Sequence, residues 1–368
     1  MNLSPVAGII AEEIQKQGVM SFARFMELAL YCPVYGYYEK EGDTVGRQGD
    51  YYTSVSVGGL FGELLGWQFA EWLDSRPATA YQIIEAGAHR GILAADILGW
   101  MRKWRPELFD RIEYWILEPS ERRREWQQRT LKDWTDKLGW ASDWAQLARA
   151  SPAEMVPRVI FSNELLDAMP THRVGWDAAG GKWSEWGVTL ERGRFVWARM
   201  GPAEDRIARL CPAAQPPPEL PEGFTFEVSL AAAEWWQKAA ESLTTGWLVA
   251  FDYGLTQEEF FYPERKGGTL RAYCRHQLQA DLLANPGEQD LTAHVNFSLI
   301  QRTGEQAGLT TQGLWSQAQF LTQAVSRIWE AREGFPEWTQ SRTRQFQTLT
   351  HPEHLGRAMK VLEQATKP

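Results

Sequence analysis

A chain of 368 residues with 44% hydrophobic and 23% charged residues has a globular composition, long enough for one large domain with insertions or for two ordinary ones. Its formal net charge of −9 argues against nonspecific nucleic-acid binding, which needs a basic footprint to displace counterions, and no run reaches the roughly 18 apolar residues that span a bilayer. Cys32, Cys211 and Cys274 have no CxxC or metal-site spacing, so no metal is expected and a reducing compartment is; with "MNLSPVAGIIAEEIQKQG" matching neither a secretory signal nor an Arg-rich transit peptide, the expected location is cytoplasmic.

Residues 5 to 31 read as two helices separated by Gly18. Ser21 caps the second, with Phe22, Phe25, Met26, Leu28 and Ala29 at roughly helical spacing. Residues 31 to 59 form a long irregular stretch dense in glycine, tyrosine and small polar residues. Such segments are functional or disordered, and the tyrosines favour an ordered lid over an active site. "LFGELLGWQFAEWL" from residue 60 is an apolar helix. Then the pattern alternates: "YQIIEAG" a buried strand, "GILAADILGWMRKW" a helix, "IEYWILEPS" a strand, "ERRREWQQRTLKDW" a helix, and "RVIFSNELLDAMP" a strand running into a loop. Short apolar strands alternating with helices predict an α/β fold, a mostly parallel sheet flanked by helices.

Residues 173 to 200 break the rhythm with an Ala-Gly-Gly turn between aromatic-rich runs, a β-hairpin or meander signature. "CPAAQPPPELPEG" is a rigid surface crossing, "TGWLVAFDYG" a further buried strand, and the last hundred residues read as loop followed by helices. The 19 tryptophans, among them Trp67, Trp72, Trp100, Trp104, Trp115, Trp126, Trp134, Trp140 and Trp144, are read as helix faces and core filler.

Chemistry concentrates where strands end. "IIEAGAHRGIL" carries Glu85, Gly87 and Gly91 between a strand and a helix, where backbone N–H groups are free and glycine lets a ligand approach. The next strand ends at Glu118, whose carboxylate suits the two hydroxyls of a ribose, and the pair is the signature of an adenosine-bearing cofactor. An acid directly before the first glycine suits a cationic ligand and repels a pyrophosphate, which favours S-adenosyl-L-methionine over NAD. Asn163, Glu164 and Asp167 follow a third strand and Asp252 and Tyr253 close a fourth, all at the edge where open α/β sheets bind ligands. Residues 262 to 297 hold "KGGTLRAYCRH" and "QDLTAHVNF" with His276 and His294, and no HExxH, nucleophile elbow or Walker loop.

Taken in order, "YCPVYGYY", "GDYYTS", "VGGLFGELLG", "IIEAGAHRGILAADIL", "EPS", "NELLDAMP", "FDYG", "GGTLRAYCRH", "DLLANPGEQDLTAHVNF" and "HPEHLGRAMKVL" resemble the MidA-like family. It includes the mitochondrial arginine methyltransferase that acts in respiratory complex I assembly. The resemblance runs from about residue 10 to the C-terminus, and "GGTLRAY" joined to "QDLTAHV" is its most specific part. It implies a Rossmann-like, class I S-adenosyl-L-methionine-dependent methyltransferase. An N-terminal helical and lid segment would span 1–59 and the methyltransferase domain 60–368, with inserted β-structure at about 173–200 and C-terminal helices. By position Glu85, Gly87, Ala88, His89 and Gly91 would line the donor's methionine end and Glu118 its ribose. Asn163 and Glu164 would lie near the sulfonium, and Asp50, Thr53 and Ser54 would close over the donor. The implied acceptor is an arginine, or another nitrogen, of a partner protein such as a respiratory-complex subunit.

Three positions depart from the family: His89 replaces a middle glycine, Val55 a common proline, Asn296 a common aspartate. An imidazole at 89 either occupies part of the donor site or hydrogen-bonds the donor's carboxylate. The expected mechanism has Glu164 orienting the acceptor, Asp167 or Asp252 as supporting acid, and Tyr37, Tyr38 and Tyr253 walling the pocket. The alternatives are a catalytically degenerate fold serving as assembly factor or scaffold, and an NAD-dependent dehydrogenase.

Overall fold

The computed structural model of the chain describes all residues except 1–3, 41–52, 152–155, 212–219, 276, 332–333 and 368. Two compact units interleave along the sequence: one takes 1–51, 166–235 and 254–300, the other 52–165, 236–253 and 301–368.

The second unit carries the α/β fold. Strands Gly246–Leu255, Arg158–Asn163, Tyr81–Ala86, Ile112–Leu117 and Leu138–Ala141 run parallel in that spatial order. The order reverses between Arg158–Asn163 and Tyr81–Ala86, the place where open α/β sheets form a ligand crevice beyond their strand ends. All six residues of Tyr81–Ala86 are buried. That is why its sequence runs continuously apolar instead of alternating: helices cover both faces of such a strand. Phe69 of helix Leu60–Asp74 lies 5.0 Å from Phe161, and Phe251 lies 5.3 Å from Phe320 of helix Gln317–Ala331. Each of these rings is fully buried or nearly so and contributes about 1.5–3 kcal/mol through the water it sheds.

Two strands here differ from the sequence expectation of loop and helices after residue 268. Met359–Ala365 inserts antiparallel between Gly246–Leu255 and Thr310–Ser316. The reason is local: Met359–Ala365 has buried residues on both faces, so it shows no period-2 alternation, and neighbouring helices at Gln317–Ala331 and Gln340–Thr350 dominate the pattern. The helix expected over "ERRREWQQRTLKDW" stops at Thr130. A short strand, Leu138–Ala141, follows; its Gly139 is required because a Cβ there would meet the Trp115 ring at 2.6 Å.

The first unit begins with the two expected helices, Pro5–Gln17 and Phe22–Tyr31, each capped by a serine side chain, Ser4 and Ser21. Gly18 ends the first with φ 84°, a left-handed value that glycine adopts without steric cost. The predicted hairpin is the centre of a five-stranded antiparallel sheet. His172–Asp177 pairs with Lys182–Glu191, which also pairs with Arg194–Pro202, while Thr225–Val228 and Met20–Ser21 complete it. A smaller sheet joins Gln277–Leu278, Arg271–Cys274 and Asp290–Thr292.

Candidate active site

Strand Tyr81–Ala86 leads through residues 87–91 into helix Ile92–Trp104. Three residues in that turn have positive φ: Gly87 at 73°, His89 at 45° and Gly91 at 82°. The glycines are doubly determined, since a Cβ on Gly87 would reach Leu165 at 2.9 Å and one on Gly91 would reach Leu131 at 2.8 Å. His89 takes the left-handed conformation that a middle glycine would take, and histidine is among the few side chains that tolerate it. Ala88 is buried beside it. No side chain caps the helix start, which leaves N–H donors directed at the crevice beyond the strand ends.

Glu85 is only 3% exposed and accepts a 2.6 Å hydrogen bond from the Tyr114 hydroxyl on the neighbouring strand. Burial pushes its carboxyl up to about 7, against the pull of that bond, and carries the Tyr114 hydroxyl well above its ordinary value. A buried acid held this way is neutral or charged according to what stands beside it, and a cation favours the charged form.

Glu118 is 1% exposed. Its Oε1 accepts from the Ser120 amide at 3.0 Å and meets Arg123 at 3.0 Å, and its Oε2 accepts from Gln127 Nε2 at 3.2 Å. The same Gln127 Nε2 donates to the His89 carbonyl at 3.1 Å, and Gln127 Oε1 accepts from Trp140 Nε1 at 3.0 Å. Gln127, fully buried, thus ties the glycine turn to the acid of the next strand. Sequence reasoning missed it, because it sits among exposed charges in "ERRREWQQRT"; a glutamine beside a tryptophan on the inner face was the available signal.

A second group assembles beyond strand Arg158–Asn163. Glu164 has φ 51° and its amide donates to the Phe251 carbonyl at 2.8 Å. Its Oε1 accepts from the Ser54 amide at 3.0 Å and from Asn163 Nδ2 at 3.3 Å. Asp252, without exposed surface, accepts from the Leu165 amide at 3.1 Å and from the Tyr253 amide at 2.8 Å. The Ser54 hydroxyl donates to Gln317 Oε1 at 3.0 Å. Thr53 and Ser56 bond each other's amides through their hydroxyls at 3.1 and 3.0 Å. Ser54, Asn163, Glu164 and Asp252 are thereby brought together, as the sequence suggested, with Gln317 as an unforeseen member. Asp50 lies outside the described residues, as does His276.

Asp167, Tyr37 and Tyr38 belong to the first unit. The Asp167 carbonyl accepts from the Ala293 amide at 2.9 Å, Tyr37 is buried, and the Tyr38 hydroxyl donates to Asp290 Oδ1 at 2.7 Å.

Asn163 Oδ1 and the Ser162 hydroxyl are buried at the end of their strand without a hydrogen-bond partner. Orphaned polar atoms at one strand end, an uncapped helix start at the next and a buried acid raised to about 7 fit a ligand carrying an ammonium, a carboxylate and a second cationic centre. A pyrophosphate has no such cations. A glycine turn of this kind on a parallel sheet, followed by an acid on the next strand and closed by an antiparallel strand at the far side, defines an α/β methyltransferase of the S-adenosyl-L-methionine-dependent class.

The chain belongs to the family described as "Putative S-adenosyl-L-methionine-dependent methyltransferase", whose profile matches residues 64–315. The rat protein arginine methyltransferase NDUFAF7, mitochondrial, is 28% identical over 96% of this chain and 83% of its own length. The Drosophila melanogaster homolog of that methyltransferase is 26% identical over 95% and 82%. A Burkholderia thailandensis crystal structure bound to S-adenosyl-homocysteine superposes with a TM-score of 0.83 at 30% identity, over 98% of this chain and 91% of that one. The chain is a methyltransferase, and its cofactor is S-adenosyl-L-methionine; the dehydrogenase and scaffold alternatives fall away. The cytoplasmic expectation is corrected, because the curated relatives are named as mitochondrial proteins. Free thiols, on which it partly rested, suit any reducing compartment. Among the described residues no helix is long and apolar enough to cross a membrane.

Proposed function

We propose that this enzyme methylates an arginine of a partner protein, and that the partner is a respiratory-complex subunit. The names of the relatives support the arginine; the resemblance supports the partner. The observation that carries the chemistry is Glu164, a half-buried carboxylate whose Oε1 is held by the Ser54 amide and by Asn163.

The donor supplies an electrophilic methyl group on a sulfonium. The chain's own part is to bind, align and manage charge. Gly87, Ala88, His89 and Gly91 supply the turn against which the methionine end rests, with Glu85 as counter-charge. Glu118 takes the ribose, held in place by Gln127 and Arg123. Thr53 and Ser54 close the site. Glu164 orients the acceptor guanidinium, whose pKa exceeds about 12, and takes the proton that the nitrogen sheds as the new N–C bond forms and the C–S bond breaks. Asp252 acts beside Glu164: it accepts from the amide of Leu165, the residue that follows the left-handed Glu164, and from the amide of its own successor Tyr253. Tyr253, in the same unit as Glu164, is a wall.

Glu164→Ala should lower the rate of transfer to an arginine-bearing acceptor by about 10²-fold or more, the range for a positioned general base. Calorimetric affinity for S-adenosyl-L-methionine should stay measurable. Undiminished transfer would remove Glu164 from the mechanism.

A further inference from the structure

Gln317, the first residue of helix Gln317–Ala331, has no exposed surface. A reciprocal cap fixes its backbone: the Ser316 hydroxyl accepts from the Gln319 amide at 3.2 Å, and Gln319 Oε1 accepts from the Ser316 amide at 2.9 Å. Both ends of the Gln317 side-chain amide are engaged. Its Nε2 donates at 2.9 Å to the Leu349 carbonyl, in the last turn of helix Gln340–Thr350, where carbonyls have no partner within the helix. Its Oε1 accepts from the Ser54 hydroxyl at 3.0 Å. The first bond closes a helix end and accounts for half of a buried glutamine. The second reaches the candidate site, because Ser54, also without exposed surface, donates its amide to Glu164 Oε1 at 3.0 Å.

Two kinds of contact hold the segment around Ser54. The local one is the pair of bonds between Thr53 and Ser56, which fixes the shape of the turn. It does not fix where the turn sits relative to Glu164, 110 residues on. That placement comes from the C-terminal helices, which lie in the same compact unit. At the far end of the segment Gln345 Oε1 accepts from the Leu60 amide at 3.0 Å, and Arg342 meets the two Glu63 oxygens at 2.7 and 3.0 Å. At the near end Gln317 holds Ser54, the residue that touches Glu164. Losing that bond leaves a buried hydroxyl unsatisfied, and the turn gains by rotating to find another partner. The Ser54 amide would rotate with it, and a shift of about 1 Å in a reacting constellation costs up to about 10²-fold in rate.

We propose that Gln317 is a positioning residue for methyl transfer, acting through the Ser54 hydroxyl to hold the Ser54 amide on Glu164 Oε1. The assignment rests on the role read for Glu164 above and deepens it. The residue type follows from the two partners. One group must accept from a hydroxyl and donate to a carbonyl at once, which a side-chain amide does and neither a carboxylate nor an ammonium does.

The reporter is the Ser54 amide proton, read by proton–nitrogen correlation NMR on the full chain, because a proton bonded to a carboxylate resonates downfield of a released one. Glu164→Ala defines the released position. Gln317→Met, similar in length and without either hydrogen bond, should move the resonance at least about half of the way there. The same change made in Glu164→Ala should move it far less, since the bond is already gone. A parent position kept in Gln317→Met overturns the proposal, and so does an equal displacement in both backgrounds. Should Gln317→Met fail to fold, Ser54→Ala leaves the Leu349 bond in place and is judged by the same comparison. This measurement needs no acceptor and decides the placement by itself. With a synthetic peptide bearing one arginine, Gln317→Met should lower kcat about tenfold. It should leave the KM for S-adenosyl-L-methionine within about threefold, and add nothing in Glu164→Ala. Undiminished transfer in Glu164→Ala, with the resonance moved by Gln317→Met, retires the base and keeps the clamp. Transfer lost in Glu164→Ala, with the resonance indifferent to Gln317→Met, keeps the base and removes Gln317.

Discussion

Replacing Glu85 by glutamine should make the apo enzyme more stable at alkaline pH and leave it unchanged in acid. A glutamate carboxyl ordinarily titrates near 4.5, and burial lifts that of Glu85 to about 7. The folded state therefore binds this proton more tightly than the unfolded chain does. Below about 4.5 both states hold the proton and the site has no effect on stability. Between about 4.5 and 7 the unfolded chain releases it and the folded one keeps it, so stability falls as pH rises, and above 7 the whole cost is present. At roughly 1.4 kcal/mol for each tenfold change in proton affinity, the cost is about 3 kcal/mol. Glutamine carries no charge, and its carbonyl still accepts from the Tyr114 hydroxyl, so only the charge term is removed. The assay is urea unfolding of parent and variant from pH 5 to 8.5. The two should agree within about 1 kcal/mol at pH 5, and the variant should lead by most of about 3 kcal/mol at pH 8.5. Parallel profiles would refute the reasoning that Glu85 is an unneutralised buried acid. The donor's cationic end should supply the missing neutralisation, so binding it near pH 7 should release a fraction of a proton, detectable by calorimetry in buffers of different ionisation enthalpy.

Two further changes probe the turn. His89→Gly should leave donor affinity within a few-fold, whereas His89→Val, a β-branched residue forced to φ 45°, should cost on the order of 1–2 kcal/mol in urea unfolding and weaken the donor. Gln127→Ala removes the partner of the His89 carbonyl, of Glu118 and of Trp140 together; thermal unfolding should show a loss of about 2 kcal/mol or more, and ribose-dependent binding of adenosine should fall with it.

The parallel strands and the glycine turn were legible because their physics is local. "YQIIEAG" is apolar throughout since both its faces are covered, and Gly87 and Gly91 announce the left-handed backbone they adopt. The acids at strand ends were visible too, as Glu118, Glu164 and Asp252. Their partners were not. Gln127 meets Glu118 from nine residues on, Tyr114 meets Glu85 from 29 residues on and Gln317 meets Ser54 from 263 residues on, through pairings that no periodicity records. Met359–Ala365 was hidden for a related reason: a short strand buried on both faces has no alternation of its own.

His89 is the residue of the donor turn most open to test, because it stands between Gly87 and Gly91 with a left-handed φ of 45°. Calorimetric titration of the parent chain with S-adenosyl-L-methionine, S-adenosyl-homocysteine and NAD addresses it directly. Saturable binding of both adenosyl compounds and none of NAD is the predicted result. Absence of heat with all three, or binding of NAD alone, would contradict the donor site described for Glu85 to Gly91.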